Sequence, residues 1–120
     1  MRKLTLAMAI GLATILPAAF SGTGGAQTFT GEIMDVQCGL VKTHAMMMKQ
    51  KGSKTPVDCT QACVRDGGKV VLYDSAHQKV YRLQDQQKAM QYAGQTVTVV
   101  GTYDDASNTL QVESIRGSST

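Results

Sequence analysis

The residues best suited to chemistry are concentrated between positions 31 and 68 of the 120-residue chain. This stretch contains all three cysteines, one of the two histidines and a run of methionines: Cys38, Cys59, Cys63, His44, Met46, Met47 and Met48. Thiolate and imidazole groups are ligands of zinc and copper, and thioether sulfur is a further ligand of Cu(I). The stretch therefore predicts either a metal site or a site of thiol chemistry.

A metal site would use the spacing Cys-x5-His-x14-Cys-x3-Cys. Cys38, His44 and the pair Cys59 and Cys63 would make a four-ligand set, which suits the closed tetrahedral geometry of structural zinc. Thiolates combined with a thioether from Met46, Met47 or Met48 would instead suit Cu(I). The methionines and the predicted exported location place copper ahead of zinc. A metal-free alternative treats the methionine run as an apolar patch over one mouth of the domain.

A disulfide is the competing hypothesis, since an exported chain folds in an oxidising environment. Cysteines four residues apart on a helix, such as Cys59 and Cys63, have Cα–Cβ directions that make a bridge awkward. A disulfide between Cys38 and either Cys59 or Cys63 has the more favourable geometry. Closing a loop of about 20 residues would contribute about 3 kcal/mol. The third cysteine would then pack as a small apolar residue.

Thiol redox chemistry is a third hypothesis. Cys59 lies near the start of a predicted helix, where the helix dipole lowers a thiol pKa, and Cys63 or Cys38 would be its resolving partner. No Cys-x-x-Cys motif, nucleophile elbow or phosphate-binding glycine loop occurs in the sequence. We therefore predict a protein that is not an enzyme.

The first 26 residues have the pattern of a signal peptide. Arg2 and Lys3 precede an apolar run from residue 4 to residue 16, and small residues lead to a cleavage site before Gln27. Cleavage leaves a single domain over residues 27–117 with a frayed tail at 118–120, in the periplasm or outside the cell. The remaining 10 basic and 9 acidic residues nearly balance. This excludes the basic surface that nucleic-acid binding requires. We also predict a monomer that is not attached to a membrane after cleavage.

Alternating and β-branched residues predict five strands at 28–37, 69–73, 79–83, 96–103 and 110–113. In the first strand, Ile33 and Glu32 lie on opposite faces, and Gly31 indicates a sharp bend. Asp35, after them, would either orient His44 or stabilise a turn. Residues 40–54 suggest one or two helical turns or a solvated loop.

Two helices are also expected. Thr55 as N-cap and Pro56 at the first helical position begin a helix that Gly67 and Gly68 end, with Cys59 and Cys63 on its inner face. Asp85 caps a shorter helix over residues 86–93, before Gly94.

This order of elements predicts a mainly β fold, a small five-stranded OB-like barrel. The cysteine-bearing residues form a helical insertion between strands 1 and 2, at one mouth of the barrel, and the short helix lies between strands 3 and 4. The predicted function is an exported, disulfide-stapled binding or interaction module whose partner is an envelope protein or a small ligand. Periplasmic binding of Cu(I) or zinc is the alternative, and a thiol-redox protein is the third.

Several pieces of the sequence carry a resemblance to a known family: residues 31–39, His44, the Cys59 and Cys63 helix, and the segments 92–94 and 101–103. Together they resemble a family of small exported bacterial proteins that is known only as a domain of unknown function. This resemblance implies export and a compact β-domain and no particular activity. The Cys59-x3-Cys63 spacing also resembles that of Sco-type copper chaperones, whose fold is thioredoxin-like. The strand order predicted here is not that of thioredoxin.

Overall fold

A computed structural model describes residues 25–118 of the protein. Residues 1–24 of the predicted signal peptide and residues 119–120 of the predicted tail lie outside this range. The described chain contains five strands and four helices: β1 Gln27–Asp35, α1 Val36–Val41, α2 Ala45–Lys51, α3 Pro56–Arg65, β2 Val70–Asp74, β3 Lys79–Leu83, α4 Gln86–Met90, β4 Thr96–Asp104 and β5 Thr109–Gly117. The mainly β fold is confirmed. No helix within residues 25–118 is long and apolar enough to cross a membrane.

The five strands form one sheet that closes into a ring in the order β1-β2-β3-β5-β4. The ring closes because β1 pairs with β2 through its second half and with β4 through its first half. All pairings are antiparallel except that of β3 with β5. The interior is filled by aliphatic side chains from every strand, including Ile33, Leu72, Val97 and Leu110, which are fully buried.

The insertion between β1 and β2 covers the outer face of these two strands. Side chains alternate across a strand, so Met34 and Val71, which neighbour the interior residues Ile33 and Leu72, point away from the interior. They nevertheless lie in a second buried cluster with Cys38 and Cys59. All five residues of β2 are consequently buried. The insertion therefore packs mainly against the outside of the sheet, which differs from its predicted position at a mouth of the barrel, and Val64 of α3 also packs against the interior cluster.

The insertion contains three helices. The predicted cap of the third is confirmed, since the Thr55 side chain accepts a hydrogen bond from the Asp58 N–H at 3.1 Å and Pro56 is the first helical residue. The predicted first strand ends two residues early because the Asp35 side chain caps α1. Between residues 40 and 54 the helical alternative is confirmed by α2, whose lysines lie on its exposed side or in its last turn. The helix after Asp85 ends at Met90 and not at residue 93.

The turn between β2 and β3 gives a pH-dependent contribution to stability. Burial disfavours the charged form of Asp74, but hydrogen bonds from the His77 ring at 2.6 Å and from the His77 N–H at 3.2 Å outweigh it. The pKa of Asp74 is lowered as a result. These bonds therefore stabilise the fold fully above the ordinary aspartate pKa of about 3.9, and the contribution is lost as the pH falls through the lower pKa of the folded state.

We expect Asp74→Asn to reduce the free energy of unfolding at pH 7. The difference from the wild-type protein should become smaller as the pH falls below about 4. Urea unfolding of both proteins across this range measures the difference. A difference that is the same at pH 7 and pH 2 would contradict the role assigned to the ionised carboxylate.

Candidate metal centre

Cys38 is held in the first turn of α1 by the residue that ends β1. The Asp35 carboxylate accepts hydrogen bonds from the N–H groups of Gln37 at 3.0 Å and Cys38 at 3.2 Å. An aspartate at the N-cap fixes the start of a helix in this way. The Cys38 side chain is thereby directed against the outer face of β1 and β2, where it is fully buried.

His44 is brought back toward Cys38 by a tight turn. Lys42 adopts a left-handed conformation with φ of 59°, and its N–H bonds to the Cys38 and Gly39 carbonyl groups. The Thr43 N–H also donates to the Cys38 carbonyl, at 3.2 Å. His44 then precedes α2, its side chain makes no capping bond, and the ring is free to point inward. Only 7% of the residue is exposed.

The two ring nitrogens of His44 have different surroundings. Nε2 lies 2.6 Å from a carboxylate oxygen of Glu32. Because an ionised carboxylate only accepts hydrogen bonds, Nε2 is the donor, and Nδ1 of the neutral ring carries the lone pair. Among the described residues, Nδ1 of His44 and Oγ1 of Thr60 are the buried side-chain polar atoms without a hydrogen-bond partner. Such an atom costs about 1–3 kcal/mol.

Cys59 completes the group from α3. Its thiol, the Cys38 thiol and one ring nitrogen of His44 lie within 4.8 Å of one another, and all three residues are buried. An ion bound with bond lengths of about 2.0–2.3 Å would draw these atoms in around it from their present separations of up to 4.8 Å. The three residues come from α1, from the residue that precedes α2 and from α3, so that their proximity depends on the packing of the whole insertion.

The charge environment keeps the Cys38 thiol protonated in the absence of an ion. Burial, the neighbouring Asp35 carboxylate and the nearby Cys59 thiol all raise the pKa of Cys38. A metal ion would reverse this balance, since its positive charge stabilises the thiolate that binds it.

The remaining predicted ligands occupy distinct positions. Met47 and Met48 are partly buried and pack against the cluster that contains Cys38 and Cys59. Met46 points to solvent, with 65% of its surface exposed. Cys63 is buried one helical turn after Cys59 and is not a member of the three-residue group. The structure thus brings together three of the four residues in the predicted Cys3His set.

The cysteines are three free thiols in this structure. The pairing of Cys38 with Cys59 or Cys63 therefore stays a prediction. Of the two partners proposed for Cys38, Cys59 lies in its three-residue group, and Cys63 follows Cys59 by one turn of α3.

Glu32 is the residue that the sequence did not single out. Its signal was present, because strand alternation places Glu32 on the same face of β1 as Met34, and that face is covered by the insertion. The sequence offered two alternative roles for Asp35, to orient His44 or to stabilise a turn. The structure gives Asp35 the second role, as the cap of α1, and gives the first to Glu32.

Comparison with known families gives one match. Residues 64–117 match the model of a family described as "Protein of unknown function (DUF5818)". The predicted resemblance to a family of unknown function is confirmed over this range, which begins near the end of α3 and includes β2 to β5. Cys38, His44, Cys59 and Cys63 precede it. No curated protein and no solved structure matches the chain.

Proposed function

We propose that this protein is exported and binds one thiophilic metal ion, Cu(I), through Cys38, His44 and Cys59. The observation that carries the proposal is the state of the His44 ring, which has one nitrogen bound to Glu32, the other buried without a partner, and two buried thiols within 4.8 Å of a ring nitrogen. Histidines that bind metals commonly donate their other ring N–H to a carboxylate, which fixes the ring and its tautomer. Glu32 and His44 have this relationship.

The same observation favours a metal over a disulfide at this position. A bridge between Cys38 and Cys59 would consume both thiols and leave Nδ1 of His44 without a partner. A bound ion would give the ring nitrogen and both sulfurs a common partner. The disulfide-stapled binding module remains the competing proposal, and the experiment below separates the two.

Cu(I) is favoured by the sulfur around the group. Met47 and Met48 pack against the cluster that holds both thiols, and soft thiolate and thioether ligands select Cu(I). Zinc is the second candidate, because Asp35 is buried and lies close enough to raise the pKa of Cys38. Two thiolates beside a buried carboxylate are neutralised better by a divalent ion than by a monovalent one.

A binding role is also supported over catalysis. Cys38 and Cys59 are fully buried, whereas a catalytic metal site keeps a position open for water or substrate. We further propose that the ring of strands is an OB-like barrel. The order β1-β2-β3-β5-β4, the helix α4 between β3 and β4, and the long connection between β1 and β2 support that assignment.

The test is a titration of the reduced protein, without its first 26 residues, against a chromophoric Cu(I) chelator and in parallel against a zinc chelator. We expect one Cu(I) per chain, with Cys38 and Cys59 protected from alkylation in the loaded protein and released by excess chelator. Stronger competition for zinc than for Cu(I) would establish the second candidate. Failure to compete for either ion, together with a Cys38 disulfide in protein purified without reductant, would establish the stapled module instead.

A further inference from the structure

A second pair of sulfur atoms lies on the solvent side of the candidate centre. Cys63 and Met47 both line an open cavity of about 290 Å³ beside α1, together with Asp35, Lys51 and Asp66. Met47 also packs against the buried cluster that contains Cys38 and Cys59. Met47 therefore contacts the inner cluster on one side and the solvent-accessible cavity on the other.

Cys63 occupies a similar intermediate position. It follows Cys59 by one turn of α3, so that both thiols lie on the same face of the helix. The Cys63 residue is 7% exposed, whereas Cys59 is completely buried. The path from solvent to the inner thiols thus passes a thioether and a thiol before it reaches Cys59.

The cavity also contains a positive charge next to the outer thiol. The Lys51 ammonium group forms an ion pair with Asp66, and both residues line the cavity together with Cys63. An ion that enters the cavity therefore meets the Cys63 sulfur beside charged side chains of both signs.

We infer that Cys63 and Met47 form an outer sulfur pair through which the metal ion reaches and leaves the buried Cys38, His44 and Cys59 centre. This inference rests on the proposed function and adds a route to it. The ion moves by ligand exchange, in which a bond to a donor sulfur breaks as a bond to Cys63 forms. The bond to Cys63 then breaks as bonds to Cys59, Cys38 and His44 form. The oxidation state of Cu(I) does not change. Each thiol loses its proton to solvent when it binds the ion and regains a proton when it releases the ion.

The route is tested by kinetics and affinity measured on the same variants. We expect Cys63→Ser to slow the transfer of Cu(I) to an excess of chelator by about tenfold, because the ion loses one thiolate on its route. A tenfold change in rate corresponds to a barrier that is higher by about 1.4 kcal/mol. The equilibrium affinity should change by less than about threefold, which is under 1 kcal/mol. Met47→Leu should slow transfer in the same way, because leucine keeps the apolar shape and removes the sulfur.

Two matched controls separate this effect from general disturbance of the helices. Ala62→Ser adds the same hydroxyl group beside Cys63, and Met46→Leu makes the same change at the exposed methionine next to Met47. Both should exchange the ion at the wild-type rate. Folding of every variant is checked by circular dichroism.

The possible outcomes are distinguishable. Wild-type rates in both Cys63→Ser and Met47→Leu, with the wild-type protein binding Cu(I), would overturn the route and leave the proposed function standing. A large loss of affinity in Cys63→Ser would also overturn it, because Cys63 would then be an inner ligand. Failure of the wild-type protein to bind Cu(I) would instead remove the proposed function, and the route with it.

Discussion

Replacing His44 with alanine is expected to weaken Cu(I) binding by more than about a hundredfold, above the tenfold to hundredfold typical for residues that only support a ligand. The substitution removes the buried ring nitrogen that has no partner in the metal-free protein and leaves two thiols as the principal ligands. Competition against a Cu(I) chelator at fixed pH measures the change. The pH must be held constant because metal binding displaces thiol protons.

The second histidine provides the control. His77 lies in the turn between β2 and β3, where its ring is 76% exposed and bonds Asp74, so His77→Ala should leave Cu(I) affinity unchanged. The Cu(I) affinity of Glu32→Gln should lie between those of His44→Ala and His77→Ala. We expect a loss of about tenfold to a hundredfold, because the substitution weakens the group that orients His44. Glu113→Gln, an exposed change on β5, is its matched control. Equal affinities for His44→Ala and His77→Ala would rule out His44 as a ligand.

A large loss of stability is expected for Gly31→Ala. A Cβ atom at Gly31 would lie 2.4 Å from the carbonyl oxygen of Tyr73 and 2.8 Å from its carbonyl carbon. These are backbone atoms of β2, and they cannot move without disturbing the pairing of β2 with β1 and β3. We expect the free energy of unfolding to fall by about 3 kcal/mol or more, the upper end of the usual cost of overpacking.

Gly117→Ala is the appropriate control for this change. Gly117 also lies in a strand, at the end of β5, and a Cβ atom there meets no atom within 4 Å. Urea unfolding monitored by circular dichroism should show wild-type stability for Gly117→Ala and a much lower midpoint for Gly31→Ala. If the two variants unfold alike, the close approach of β1 to β2 at Gly31 is not as tight as the structure indicates.

Local sequence patterns were enough to place most of the elements. The Thr55 and Pro56 start of α3, the β2–β3 hairpin and the two long C-terminal strands each depend on neighbouring residues, and all are confirmed. The bend predicted at Gly31 coincides with the point where β1 passes from pairing with β4 to pairing with β2. The position of the insertion was missed, because nothing local distinguishes a helix that covers the outside of a sheet from one that covers its end.

The candidate site was predictable in its residue types and less so in its membership. Cys38, His44 and Cys59 were named from their chemistry, but which of the cysteines and methionines meet depends on how three short helices pack. Met46 and Met47 are adjacent in sequence, yet one faces solvent and the other contacts the buried cluster. Glu32 was missed because its role depends on what covers the outer face of β1.

The division of the apolar side chains into two separate clusters has a consequence for local unfolding. The interior of the ring and the layer beneath the insertion share no buried residue, and Val64 of α3 is a partly buried contact between the insertion and the interior. We therefore expect the insertion to open, with loss of that contact, while the ring stays paired. Its helices of 6, 7 and 10 residues are shorter than the roughly 12–15 residues that an isolated helix needs. They therefore form one cooperative unit whose amide hydrogens exchange sooner than those of the ring. An ion bound by residues of all three helical segments would hold this unit together. It would therefore slow amide hydrogen exchange in the insertion more than in the ring.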